Sequence, residues 1–196
     1  MEGIKFNQIG VSFRGSGSYV PDQILTNQKI SKKVDTSDEW IKSRTGISER
    51  RISNLKENVT DMGYEAALNA IEMASWDIKT VDLILLATST PHDLFGSAPS
   101  IQAKLGANNA VAFDLTAACS GFLFALITAS QFLKGGNFKR AIVIGADQLS
   151  SFVDWNDRRS CILFGDGAGA LAIEATNEFD NLIGFDMKTD GQRGSF

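Results

Sequence analysis

The chain has 196 residues, a formal net charge of −4 and two cysteines. That length allows one large domain or two small ones with a well-buried core, and the mild acidity excludes a general nucleic-acid binder. Two cysteines without paired spacing exclude a disulfide framework, and no apolar run reaches the roughly 18 residues of a membrane span. No secretory leader is legible in Met1-Glu2-Gly3-Ile4-Lys5, so the expectation is a cytoplasmic protein without nucleic-acid or membrane partners.

Residues 9–19, with Gly10, Gly15 and Gly17, read as a strand in close approach to other backbone. Thr26-Asn27 opens a short helix reaching 34. Thr36-Ser37-Asp38-Glu39 is cap chemistry for a second helix, through Trp40 and Ile41 to about 44. Residues 47–52 alternate weakly, as a strand. A long helix begins at Asn58 or Thr60, with Ala66, Ala67, Ala70, Ile71 and Ala74 on its apolar face. Residues 81–87 are a continuous apolar strand, and Ser97 or Ser100 starts a helix ending near Gly106. A strand at 110–113 precedes a helix beyond Cys119, on which Phe122, Leu126, Ala129 and Leu133 recur at helical spacing before Gly135-Gly136 stops it. Residues 140–145 are a buried strand. Residues 161–164 and 168–174 read as strands around a glycine-rich turn, and 182–187 as a last strand. Strands apolar throughout, alternating with helices, imply an α/β layered domain whose sheet is covered on both faces. Residues 189–196 read as a turn leading to further structure.

The stretch richest in chemistry is Asp114-Leu115-Thr116-Ala117-Ala118-Cys119-Ser120-Gly121-Phe122. It sets a cysteine where a strand turns into a helix. The unpaired amides of a first helical turn carry partial positive charge, which favours thiolate over thiol. Ala117, Ala118, Ser120 and Gly121 leave room for a substrate carbonyl, and the Cys119 amide is placed to donate to a developing oxyanion. The competing reading is a small buried hydrophobe, as most free cysteines are.

Three other features need weighing. His92, the one histidine, could serve as a base for Cys119, but Pro91-His92-Asp93 is also ordinary turn chemistry, and that reading is preferred. Gly165-Asp166-Gly167-Ala168-Gly169-Ala170 has the form of a dinucleotide fingerprint, yet Leu171-Ala172-Ile173-Glu174 reads as strand. The phosphate-cradling helix is missing, so a tight structural turn is expected. Trp40, Arg44 and Arg158 could grip a nucleotide by stacking and phosphate pairing, although each alone is more often a surface or packing residue. No residue cluster suggests a metal.

Taken together, these segments resemble the β-ketoacyl-acyl-carrier-protein synthase III family, initiating condensing enzymes of fatty-acid synthesis. The resemblance covers nearly the whole chain. It rests on Thr36-Ser37-Asp38-Glu39-Trp40-Ile41 with Arg44-Thr45-Gly46-Ile47 and Arg50, on 114–122, and on 164–170. It implies a thiolase-like layered αβαβα architecture of which this chain is the first half, with 1–176 carrying the nucleophile and 177–196 beginning a second half. It implies that Cys119 accepts an acyl group from acyl-CoA, acetyl-CoA being the expected donor, with no separate cofactor. Thr36, Trp40, Arg44 and Arg158 would hold the CoA nucleotide; Phe95 would sit near the acyl pocket and a homodimer interface; Phe164 would face the thiolate and the malonyl group. Malonyl-acyl-carrier protein would then condense on the acyl-cysteine with loss of carbon dioxide. The family's catalytic histidine and asparagine belong to its second half, and His92 does not match that histidine. The 196 residues alone are therefore expected not to condense, and to associate or be unstable through the apolar face a second half would cover. Two alternatives stay open: a non-catalytic CoA-binding or scaffold half, and a cysteine–histidine hydrolase using His92.

Overall fold

The computed structural model describes residues 9–193. Residues 1–5, read above for a leader, and the last three residues of the closing turn lie outside them. In chain order the elements are β1 (Gly10–Tyr19), β2 (Gln23–Thr26), α1 (Asn27–Ile30), α2 (Asp38–Thr45), β3 (Glu49–Ile52), α3 (Val59–Ala74), β4 (Leu83–Ala87), α4 (Ala98–Leu105), β5 (Val111–Leu115), α5 (Gly121–Lys134), β6 (Arg140–Gln148), α6 (Arg158–Cys161) and β7 (Asp166–Thr176). Five strands form one sheet in the order β1-β7-β6-β4-β5, and β2 pairs with β3 apart from it. β4 runs parallel to β5 and β6, whereas β7 is antiparallel to β6 and β1.

Local chemistry sets the helix ends. The Ser37 hydroxyl accepts from the Trp40 amide at the start of α2, and Gly46 closes it at φ 73°. Asn58 and Asp61 form a reciprocal capping box on α3. α4 ends at Gly106, at φ 72°.

β4 is buried along its whole length because both faces are covered. Ile84 and Leu86 face one core with Ala66, Ala67, Ala70 and Ile71 of α3 and Ile101 of α4. Leu83, Leu85 and Ala87 face another with Ala125, Ala129 and Leu133 of α5. β6 divides in the same way, Ile142 and Ile144 to the first core, Ala141 and Val143 to the second. This is the layered α/β arrangement expected from continuous apolar strands. No helix among the described residues is long and apolar enough to cross a membrane.

Three expectations are corrected. Residues 161–164 are not a strand: Asp157 caps α6 by accepting from the Arg159 amide, and the turn continues with Leu163 N donating to Ser160 O. The glycine-rich segment is not a tight turn but the beginning of β7, paired on both sides, with Gly169 opposite Gly145 and Ser18. Two of its glycines answer to neighbouring backbone: a Cβ on Gly165 would stand 2.9 Å from the Arg51 carbonyl oxygen, and one on Gly167 3.3 Å from that of Tyr19. Residues 182–187 are irregular. Side chains take the place of ladder carbonyls at the β1 edge: Val11 N donates to Asp180 Oδ1 and Phe13 N to Asn181 Oδ1. The chain then leaves the sheet with Ile183 and Phe185 exposed.

Candidate active site

The parallel strands present their C-terminal ends to one edge of the sheet, where ligands bind in open α/β sheets. β5 runs into the cysteine turn, β4 into the 88–97 loop and β6 into the segment leading to α6. β7 begins at that edge and β1 ends there, since Gln148 pairs with Asp166 and Tyr19 with Ala168.

Cys119 sits in a single 3-10 turn, 118–120, immediately before α5, and is exposed. Its predecessor Ala118 holds φ 46°, a left-handed conformation that costs a non-glycine residue on the order of 1 kcal/mol or more. Small residues make the turn possible: a Cβ on Gly121 would touch Ala87 Cβ at 3.2 Å. The other thiol, Cys161, is fully buried, and desolvation raises its pKa, opposed by the nearby Arg50 guanidinium.

The edge is braced by carboxylates that sequence reading missed. Asp114, at the end of β5, accepts from the Ser97 and Ala98 amides, each at 2.7 Å, and so caps α4, whose own N-cap Ser97 makes no side-chain cap bond. Asp147 at the end of β6 accepts from the Ser89 amide and the hydroxyls of Thr88 and Thr90. Asp166 is buried and accepts from the amide and hydroxyl of both Ser53 and Ser150. Acidic residues at strand ends beside Ser and Thr were a visible signal, but which donors they serve is a long-range matter.

The second part of the site is built on α2 and α6. The Arg44 guanidinium carbon lies 4.8 Å and that of Arg158 5.0 Å from the centre of the Trp40 ring. Two cations are thus set against one indole, an arrangement held by cation–π attraction. Arg158 also donates to the Asp35 carbonyl at 3.0 Å. Thr36 is in the same loop, its Oγ1 buried without a partner. Underneath, Arg50 is buried and donates to the Ile162 carbonyl and to Asn27 Oδ1. Its pKa is lowered by burial.

The remaining candidates are not drawn into this group. Phe95 is almost fully exposed in the loop after β4, and Phe164, 38 % exposed, follows α6. A cleft of about 350 Å³ lies between that loop and the end of β5, lined by Thr88, Leu94, Asp114, Leu115 and Thr116 but by neither phenylalanine. His92 is exposed in a turn, its amide bonded to Ser97 Oγ. Among the described residues no hydrogen bond joins it to Cys119.

Comparison with known proteins gives this arrangement a family. The model described as 3-Oxoacyl-[acyl-carrier-protein (ACP)] synthase III matches residues 113–191. A Beta-ketoacyl-[acyl-carrier-protein] synthase III of Prochlorococcus marinus (strain MIT 9312) is 90% identical over 196 residues, which is all of this chain and 58% of that protein. The crystal structure of 3-oxoacyl-(acyl carrier protein) synthase III from Pseudomonas aeruginosa PAO1 superposes with TM-score 0.89 at 37% identity, over 94% of this chain and 58% of that one. The Aquifex aeolicus VF5 enzyme gives 0.83 at 49% identity, over 85% and 54%. The chain thus spans somewhat over half the length of the relatives it matches. With the thiolase-like layered fold, the cysteine turn and the motifs of α2 and β7 all in agreement, this chain belongs to the β-ketoacyl-acyl-carrier-protein synthase III family.

Proposed function

We propose that the chain is the nucleophile-bearing part of an acyltransferase that initiates fatty-acid synthesis. The observation that carries this reading is an exposed cysteine at the entrance to α5, on the sheet edge that also leads to an indole flanked by two guanidiniums. The Cys119 thiolate attacks the thioester carbonyl of acyl-CoA, the Cys119 amide supports the oxyanion, and the C–S bond to CoA breaks, leaving CoA as thiolate and the acyl group on Cys119. Trp40, Arg44, Arg158 and Thr36 hold the nucleotide of the donor, and Phe95 and Phe164 border the acyl and malonyl groups. In the second step malonyl-acyl-carrier protein loses carbon dioxide, the carbanion attacks the acyl-cysteine, and the β-ketoacyl product leaves as the Cys119 thiolate is regenerated.

The groups that polarise the malonyl thioester are proposed to lie in the length of the relatives beyond these residues, because the one histidine here, His92, sits in an exposed turn and, among the described residues, makes no hydrogen bond to Cys119. In this reading 1–176 is the nucleophile half, 177–196 the start of its partner half, and the working form a cytoplasmic homodimer. The test is incubation with radiolabelled acetyl-CoA, followed by peptide mapping. The full-length protein and the 196-residue chain are both expected to take label on Cys119 and lose it in Cys119→Ser, with condensation confined to the full-length protein. Binding of CoA without label would favour a scaffold, and hydrolysis abolished by His92→Ala a hydrolase; either overturns the proposal.

A further inference from the structure

We propose that Arg50, acting through Asn27, is the positioning residue that sets the two-cation seat around Trp40. This rests on the reading that the seat takes the CoA nucleotide. The seat is made from two short helices far apart in sequence: Trp40 and Arg44 ride on α2, Arg158 on α6. Helices of eight and four residues have little stability of their own, so their mutual placement must come from tertiary ties.

The Arg50–Asn27 pair supplies ties to both. Arg50 Nε donates to the Ile162 carbonyl at 3.0 Å, and Nη2 donates to the same oxygen. Ile162 is the C-cap of α6. Nη1 donates to Asn27 Oδ1. Asn27, fully buried, turns its Nδ2 to Asp38 Oδ1 in the first turn of α2 and to the Ile47 carbonyl just past its last turn, both at 2.8 Å. One guanidinium and one carboxamide therefore fasten both ends of α2 to the end of α6. Apolar packing of Ile30, Ile41, Cys161 and Ile162 lies beside them. The cations over the Trp40 ring are Arg44 and Arg158, and the ring also packs against that apolar cluster. A lysine cannot replace Arg50, because a single ammonium does not reproduce a planar fork that serves acceptors on two elements.

The experiment uses the full-length protein with Arg50→Lys and Asn27→Ala, each in the parent and in a Trp40→Ala/Arg158→Ala background. CoA affinity is measured by calorimetry, and the Cys119 alkylation rate with iodoacetamide. Iodide quenching of Trp40 fluorescence is taken as the difference from Trp40→Phe. Both variants should weaken CoA binding by about tenfold, the scale of lost outer-shell support. Alkylation of Cys119 should stay within about twofold, and the effect on CoA should nearly vanish in the seatless background, as it does for residues that act as a unit. Quenching of Trp40 should rise in both variants. Asn27→Ala keeps the Arg50–Ile162 bonds and serves if Arg50→Lys fails to fold. Equal weakening in both backgrounds, or unchanged Trp40 quenching, overturns the proposal. A parent protein that binds no CoA, with quenching still raised in the variants, would instead overturn the CoA assignment and leave the positioning role standing.

Discussion

Replacing Gly17 with alanine probes the contact between β1 and α3 on which one face of the sheet depends. A Cβ at Gly17 would lie 2.1 Å from the Ala66 carbonyl oxygen and 2.5 Å from the Ala70 amide nitrogen. Both are helix backbone atoms, so no side chain can swing aside. Favourable contact begins near 3.5 Å, so strand and helix would have to part by about 1–1.4 Å, which forfeits about half or more of the dispersion well for each pair across the gap. Ala66, Ala67 and Ala70 are the buried residues that would lose it. Overpacking costs about 1–3 kcal/mol, and here, with backbone on both sides, we expect about 3 kcal/mol. This chain is 58% of its relatives' length, so in the full-length protein that is a fall of about 3–7 °C in midpoint. Gly169→Ala is the control: its nearest neighbour would be the Gly17 carbonyl oxygen at 4.0 Å. Relief of a strand-interior glycine should make that variant neutral or more stable by about 0.5–1 kcal/mol. Urea unfolding and thermal melts of both variants in the full-length protein decide the matter. A Gly17→Ala midpoint within about 2 °C of the parent would show that α3 and β1 are not packed to their limit, and the reasoning would fail.

Asp114→Ala should destabilise by about 2–4 kcal/mol, since two helix-start amides lose their acceptor, and Asp114→Asn, which keeps one acceptor, by about half as much; urea denaturation reads both. The Tyr19 hydroxyl donates to Glu57 at 2.6 Å, and that bond, with burial and nearby carboxylates, pushes its pKa up to about 12. Because the folded value is raised, the associated stability is fully present below about pH 10 and is lost as pH climbs through 12. A tyrosinate difference spectrum against Tyr19→Phe should show this late midpoint, and Glu57→Gln should bring it back toward 10.

Much of the fold was legible because its signals are local. Ser37 with Gly46, Asn58 with Asp61, and Gly106 mark helix ends through hydrogen bonds made within a turn. The continuous run at Leu83–Ala87 announces a doubly covered strand without any knowledge of what covers it. Cys119 could likewise be placed at a strand-to-helix junction from its flanking apolar runs.

The failures have one cause. Residues 161–164 are apolar, as a strand would be, but the Asp157 cap makes them the tail of a helix. The glycines of 165–169 suggest a turn, yet Gly165 answers to the close approach of β3 and Gly167 to that of β1, while Gly169 lies inside a paired strand. Residues 182–187 have strand-like composition but join no strand, and at the start of β1 the Asp180 and Asn181 side chains take the Val11 and Phe13 amides. Residue type alone therefore determined the family, the capped helices, the buried strands and the strand-to-helix position of Cys119. Tertiary structure decided that Arg158 meets Trp40, that Asp114 caps α4, and that Arg50 joins α2 to α6, since each is a pairing of groups distant along the chain whose energy exists only once the sheet has brought their elements to one edge.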